Sequence, residues 1–243
     1  MSRAFEVTRE VDLPAAPDDV WTAITADPAA WMFPTGMEIP AGAAPPEGSP
    51  ITTWDPPHRL VIRTESPDGT FNALDYTIEA REGGTAHLRY VHSGILADGW
   101  EDQYDAIGGH TDFYLHTLAE YLEHFNGRPV TYVGQPSDGI NGPESAGGPD
   151  AMDALRAALG VSPGAGVGDA VHASLGEAGA LDGVIDYSTR EFLGVRTADG
   201  LYRFFGRNHY GGVVGMSAHL FAGSVDAAGH EVALKAWLEG VYS

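Results

Sequence analysis

Three features of the sequence predict an α+β fold: segments of apolar alternation, turn signals that separate them at short intervals, and a long stretch with helical periodicity. Phe5, Val7, Val11 and Leu13 alternate with polar neighbours, as a half-buried strand requires, and Pro14 closes that strand. A helix starts next. In Ala16-Pro17-Asp18-Asp19-Val20-Trp21 the proline occupies the first turn, where an N–H would have no partner anyway. The two acids follow where the helix dipole favours negative charge, and Val20, Trp21 and Ile24 form the apolar stripe. Asp27-Pro28 opens a second short helix or turn carrying Ala30, Trp31 and Phe33, and the proline-rich run 34–50 reads as loop.

Strands return after that loop. Pro56-Pro57 turns the chain into a strand running through Ile62, Asp68-Gly69 marks a hairpin into 71–80, and Gly83-Gly84 turns again into 85–93. Alternation on this last strand sends Leu88, Tyr90 and His92 to one face and His87, Arg89 and Val91 to the other. From Gly99 to Phe125 apolar and aromatic residues recur every three or four positions, among them Tyr104, Ile107, Leu115, Leu118 and Leu122. That is a long amphipathic helix, stopped by Asn126-Gly127 and Pro129. Its Gly108-Gly109 pair costs about 1 kcal/mol per glycine and marks either close packing or a bend, or else a niche for a ligand.

Composition divides the chain into residues 1–134, a linker over 135–149 (QPSDGINGPESAGGP), and a smaller α+β unit over 150–243. The last of these reads as a helix at 150–159, strands near 183–187, 192–196, 201–207 and 213–221, and a helix over 229–242. Strands followed by a terminal helix echo the end of the first unit, so a divergent partial repeat packed on that unit is expected.

Charge excludes several partner classes. Asp and Glu number 34 against 13 Lys and Arg, a formal charge of -21 that repels nucleic acid and anionic membrane surfaces. No cysteine is present, which removes disulfides, thiolate metal sites and cysteine nucleophiles. The opening residues lack the apolar core of a signal peptide and no stretch has the length of a membrane span, so a cytoplasmic protein is expected. Ten histidines include no HExxH, and His110 and His116 stand nearly opposite on their helix, so no metal or other cofactor is expected. Gly164-Ala165-Gly166-Val167-Gly168 lacks both the spacing and the preceding strand of a dinucleotide loop, and no G-x-S-x-G is present.

Ala16-Pro17-Asp18-Asp19-Val20-Trp21, Trp54-Asp55-Pro56-Pro57-His58-Arg59-Leu60 and His92-Ser93-Gly94 ahead of Gly99-Trp100 together resemble the START-like (SRPBCC) superfamily. The likeness is to the branch named after the activator of the ninety-kilodalton heat-shock protein's ATPase, and it covers about residues 4–127. It implies a helix-grip fold, a curved antiparallel sheet wrapped on a long C-terminal helix with a cavity between them. Members bind lipids, hormones or polyketides, or act on them as cyclases and hydrolases. This chain departs from the pattern where a proline-rich 40–50 loop replaces the usual glycine-rich hairpin.

An apolar cavity with a few convergent polar groups is the usual small-molecule site. Trp54, Tyr76, Tyr90, His92, Tyr104 and Thr111 are the candidate ligand contacts, and each can equally be a satisfied core or rim group. The expected partner is a small apolar or aromatic ligand. Two alternatives stay open: a cyclase or hydrolase of a polyketide-like or aromatic substrate, with His92 as general base and Tyr90 or Tyr104 as donor, and a protein-interaction module, an ATPase or chaperone co-regulator whose partner is unspecified. Arg203, Arg207, His209 and Tyr210 gather scarce positive charge, to neutralise nearby carboxylates or to hold an anion.

Overall fold

The computed structural model describes the backbone of residues 3–96 and 100–243, and the side chains of residues 4–95 and 106–243. It divides into two units, Met1–Trp31 with Thr35–Asn126, and Met32–Pro34 with Gly127–Ser243.

Unit 1 consists of β1 (Arg3–Leu13), α1 (Pro17–Thr25), β2 (Ile51–Asp55), β3 (Arg59–Glu65), β4 (Phe71–Arg81), β5 (Thr85–Leu96) and α2 (Trp100–His124). Its strands form one antiparallel sheet in the order β1-β5-β4-β3-β2. The chain passes from β1 through α1 to the far edge and returns strand by strand, so that β5 lies beside β1 and delivers α2. This is the α+β helix-grip arrangement. Pro17 stands at the start of α1 as expected, and Val20, Trp21, Ala23, Ile24 and Thr25 are its buried residues. The indole of Trp31 donates to the Ala23 carbonyl at 2.9 Å and ties the following turn to α1. The hairpin at Asp68-Gly69 is closed by the Asp68 carboxylate, which accepts from the Thr70 backbone N–H at 3.0 Å.

Unit 2 contains β6 (Thr131–Val133), β7 (Ile140–Asn141), α3 (Ala151–Ala158), β8 (Ala170–Ser174), β9 (Ala180–Ser188), β10 (Phe192–Thr197), β11 (Gly200–Gly206), β12 (Val214–Leu220) and α4 (Ala227–Val241). Its sheet runs β6-β12-β11-β10-β9-β8, with β7 also paired to β12. First strand beside last, a helix ahead of the meander and a helix after it reproduce the order of unit 1. The expectation of a partial repeat is therefore corrected: unit 2 carries the whole arrangement within a seven-stranded sheet.

Two boundaries change with it. Unit 1 ends at Asn126, not at 134, because β6 pairs with β12, with Val133 opposite Ala218. Residues 135–149 are not a linker. Ile140 faces Met216 across the β7–β12 pair, and Ile140 and Ala146 belong to the apolar core of unit 2 with Met152, Leu155, Phe204 and Leu234. Among the described residues no helix is long and apolar enough to cross a membrane.

Candidate functional site

Register places the site residues of unit 1. Residues directly opposite in an antiparallel sheet project to the same face, and Arg9, Tyr90, Tyr76, Leu60 and Trp54 form one row across all five strands. Arg9 identifies the face. Its guanidinium forms an ion pair with Asp112 of α2, with Nη2 donating to Oδ2 at 3.1 Å and Nε to Oδ1, so this face is turned to the long helix. The next row is Val7, His92, Leu74 and Ile62.

Burial along this face is graded. Leu13, Ile78, Ala86 and Leu88 are sealed, Tyr76 and Tyr90 are buried, and Leu74 and His92 are only half-buried. The face is thus packed at the Leu13 end, while at the other end Phe5 and Val7 of β1 are still buried and the half-buried residues are His92, Leu74 and Ile62 of β5, β4 and β3. Tyr76 and Tyr90 stand with ring centroids 5.0 Å apart, and Tyr90 lies 6.4 Å from the His92 ring. Burial raises the pKa of both phenols well above the usual tyrosine value, so each is a hydrogen-bond donor at any ordinary pH. Among the described residues neither hydroxyl has a hydrogen-bond partner.

His92 is held on two sides. Phe5 meets its ring edge-on at 5.0 Å, and its Nε2 lies 2.6 Å from Asn72 Oδ1. With the amide oxygen accepting, Nε2 carries the proton and Nδ1 the lone pair. Desolvation lowers the His92 pKa from 6.5 to about 4. The folded state then binds fewer protons than the unfolded chain between those two values. Stability owed to His92 is therefore complete above pH 6.5 and declines as pH falls toward 4. Denaturant melts between pH 6.5 and 5 should show a shallower decline for His92→Gln, which keeps a donor for Asn72 but takes up no proton; identical slopes would mean that His92 is solvated.

The other sequence candidates divide. Thr111 is buried on α2 but hydrogen-bonds to none of Tyr76, Tyr90 and His92. Tyr104 lies on α2 outside the residues whose side chains are described. Trp54 ends the same row, yet its ring packs edge-to-face on Trp21 of α1 at 4.8 Å, with Leu60 standing between it and Tyr76. Arg9, Asp112, Asn72 and Phe5 are absent from the sequence-derived set. Arg9 carried a signal, since it occupies a slot in the alternation Phe5, Val7, Arg9, Val11, Leu13 where an apolar residue is expected.

In unit 2 Arg203 of the positive cluster is buried, and Arg207, His209 and Tyr210 are half-buried. Arg203 is fully buried and its Nη1 donates to both Asp186 carboxylate oxygens at 2.8 Å. Arg207 donates to the Asp138 carbonyl at 2.6 Å and to Asn141 Oδ1 at 3.0 Å, with its guanidinium over the Phe205 ring. Both guanidinium groups are thus engaged by groups of unit 2 itself. Among the described residues no group of three or more His, Asp or Glu has metal-binding geometry.

Neither a protein-family model nor a curated protein matches the sequence. Solved structures similar to this chain include the Aha1 dimer from Colwellia psychrerythraea, 16% identical over 51% of this chain and 99% of that one, with a TM-score of 0.39. CalU16 from Micromonospora echinospora is 19% identical over 52% of this chain and 78% of its own, at a TM-score of 0.36. DynU16, a protein of the dynemicin biosynthetic locus, is 15% identical and covers 98% of this chain and 95% of its own, at 0.39. Likenesses at this level assign neither family nor chemistry, and the fold rests on the strand orders and registers above.

Proposed function

We propose that unit 1 binds a small, mainly apolar molecule on the helix-facing side of its sheet, toward the half-buried end of Tyr76, Tyr90, His92 and Leu74. The observation that carries this reading is the pair of buried phenols without hydrogen-bond partners. Neither hydroxyl oxygen is among the sealed polar atoms of the described residues, so both front a space where water, or an acceptor on a ligand, can take the hydrogen bond. Tyr76 and Tyr90 donate, His92 Nδ1 accepts, and the Arg9–Asp112 pair contributes no net charge. A neutral ligand with carbonyl or ether oxygens on an apolar body suits that set.

Turnover by His92 is the weaker reading, and magnitude decides it. A general base works best with a pKa near the working pH. One held at about 4 is a poor proton acceptor at neutrality, though its fixed tautomer suits it to orient a ligand.

Native mass spectrometry of the freshly purified full chain, followed by a thermal-shift panel of neutral aromatic ketones and esters, tests the binding. Tyr90→Phe should leave the melt of the empty protein unchanged or slightly raised, because it removes an unpaired polar group. The same change should weaken the best ligand about fivefold, the worth of one hydrogen bond of about 1 kcal/mol. A variant that loses 2 kcal/mol or more of stability with no change in ligand response would make the hydroxyl structural and end the proposal.

A further inference from the structure

A cleft of unit 1 lies beside α1. Asp18, Trp21, Thr22 and Thr25 of the helix, Trp54 of β2 and the backbone loop 40–44 line this cleft of about 530 Å³. That size lies within the usual range for small-molecule sites. Its walls are two indole rings in edge-to-face contact and a shelf of proline, alanine and glycine. The two threonine hydroxyls are already used, Thr22 donating to the Asp18 carbonyl at 2.9 Å and Thr25 to the Trp21 carbonyl at 2.7 Å. What remains polar on the lining side chains is the Asp18 carboxylate and the two indole N–H groups, none of which has a partner among the described residues. No basic residue lines the cleft.

We infer that this cleft binds a small organic cation, a quaternary or tertiary ammonium with an apolar body, held by the Trp21 and Trp54 rings and the Asp18 carboxylate. An indole face is the best neutral surface for such a cation, because its ring quadrupole attracts charge without requiring hydrogen bonds that a quaternary nitrogen cannot give. The N-terminus of α1 brings a partial positive charge, but Asp18 and Asp19 in its first turn outweigh it. The net charge of -21 raises the local concentration of cations over the whole surface. An anion could use the indole N–H donors but meets repulsion from Asp18, from the ring faces and from the net charge. Proline, alanine and glycine leave room for the apolar body without supplying further polar contacts.

Isothermal titration of the full chain with choline and with 3,3-dimethylbutan-1-ol separates charge from shape, since the two probes differ only in a nitrogen exchanged for carbon. Choline should bind at least about tenfold more tightly than the alcohol. Asp18→Asn should weaken choline and leave the alcohol unchanged, and choline affinity should fall in the order Trp54, Trp54→Phe, Trp54→Leu. Equal binding of the two probes, no binding of choline, or choline binding indifferent to Asp18→Asn overturns the inference. The Asp18 carboxylate is exposed and has no partner among the described residues, so its variant decides the matter even if the Trp54 changes disturb the fold.

Discussion

Asp186→Ala is expected to destabilise unit 2 by about 3–5 kcal/mol, the cost of leaving a buried charge without its counterion. Arg203 is 1% exposed and Asp186 4%, so water cannot replace the lost carboxylate. The pair exists because of a bulge. Tyr187 of β9 lies opposite Gly194 of β10 while Ile185 lies opposite Val195, which leaves Asp186 as the extra residue, re-aimed toward Arg203 on β11. Gly194 leaves the space in which they meet: a Cβ there would stand 2.2 Å from Asp186 Oδ1 and 2.6 Å from Arg203 Nη1. Gly194→Ala should therefore damage the same pair while leaving both charges in place. Replacing the pair together, Asp186→Leu with Arg203→Met, should recover most of the loss, as apolar substitutes for buried ion pairs often do. Urea unfolding of the three variants measures this, and a cost under 1 kcal/mol for Asp186→Ala would show that the pair is solvated.

The physics that made parts of unit 1 readable from sequence is local. Alternation along β1 and β5, the acids after Pro17 and the turn at Asp68-Gly69 each lie within a few residues of what they determine, and each stands where expected. The common face of Tyr90 and His92 follows from the same alternation. What escaped depends on distant partners or on very short elements. Arg9 and Asp112 meet across 103 positions, which no window of neighbouring residues reveals. The separation of Trp54 from the tyrosines depends on Trp21 arriving from another element. In unit 2 the bulge at Asp186 breaks the alternation it interrupts, and β6 and β7, at three and two residues, are too short to show any period. Glycine and proline over 135–149 suggested a linker because composition does not distinguish residues that make a segment flexible from residues that let it turn tightly inside a core.

That segment yields the second large effect. Thermolysin should leave 135–149 uncut in the native chain, and Ile140→Asp should make it the first site of cleavage. Its backbone is tied at several points: Gln135 and Gly139 exchange hydrogen bonds at 3.0 and 2.8 Å, the Gly142 N–H donates to the Val214 carbonyl at 2.9 Å, and the Ala146 N–H to the Pro143 carbonyl at 2.9 Å. The Ser145 hydroxyl donates to the Tyr242 carbonyl at 3.0 Å. Gly139 makes this path possible. Its φ of +63° suits glycine, and a Cβ would lie 2.5 Å from the Met216 carbonyl oxygen, so the turn and the close approach to β12 both require a bare backbone. Ile140 follows it into the core at 3% exposure. Aspartate there removes a buried aliphatic side chain and buries a carboxyl, which together cost about 3–5 kcal/mol. Cleavage that tracks the open population should accelerate by at least about a hundredfold, since each 1.4 kcal/mol is a factor of ten. The time course of fragments cut ahead of Ile140 or Ala146 reads this out. Rapid cutting there in the unmodified chain, at a rate that Ile140→Asp does not change, would restore the linker that composition suggested.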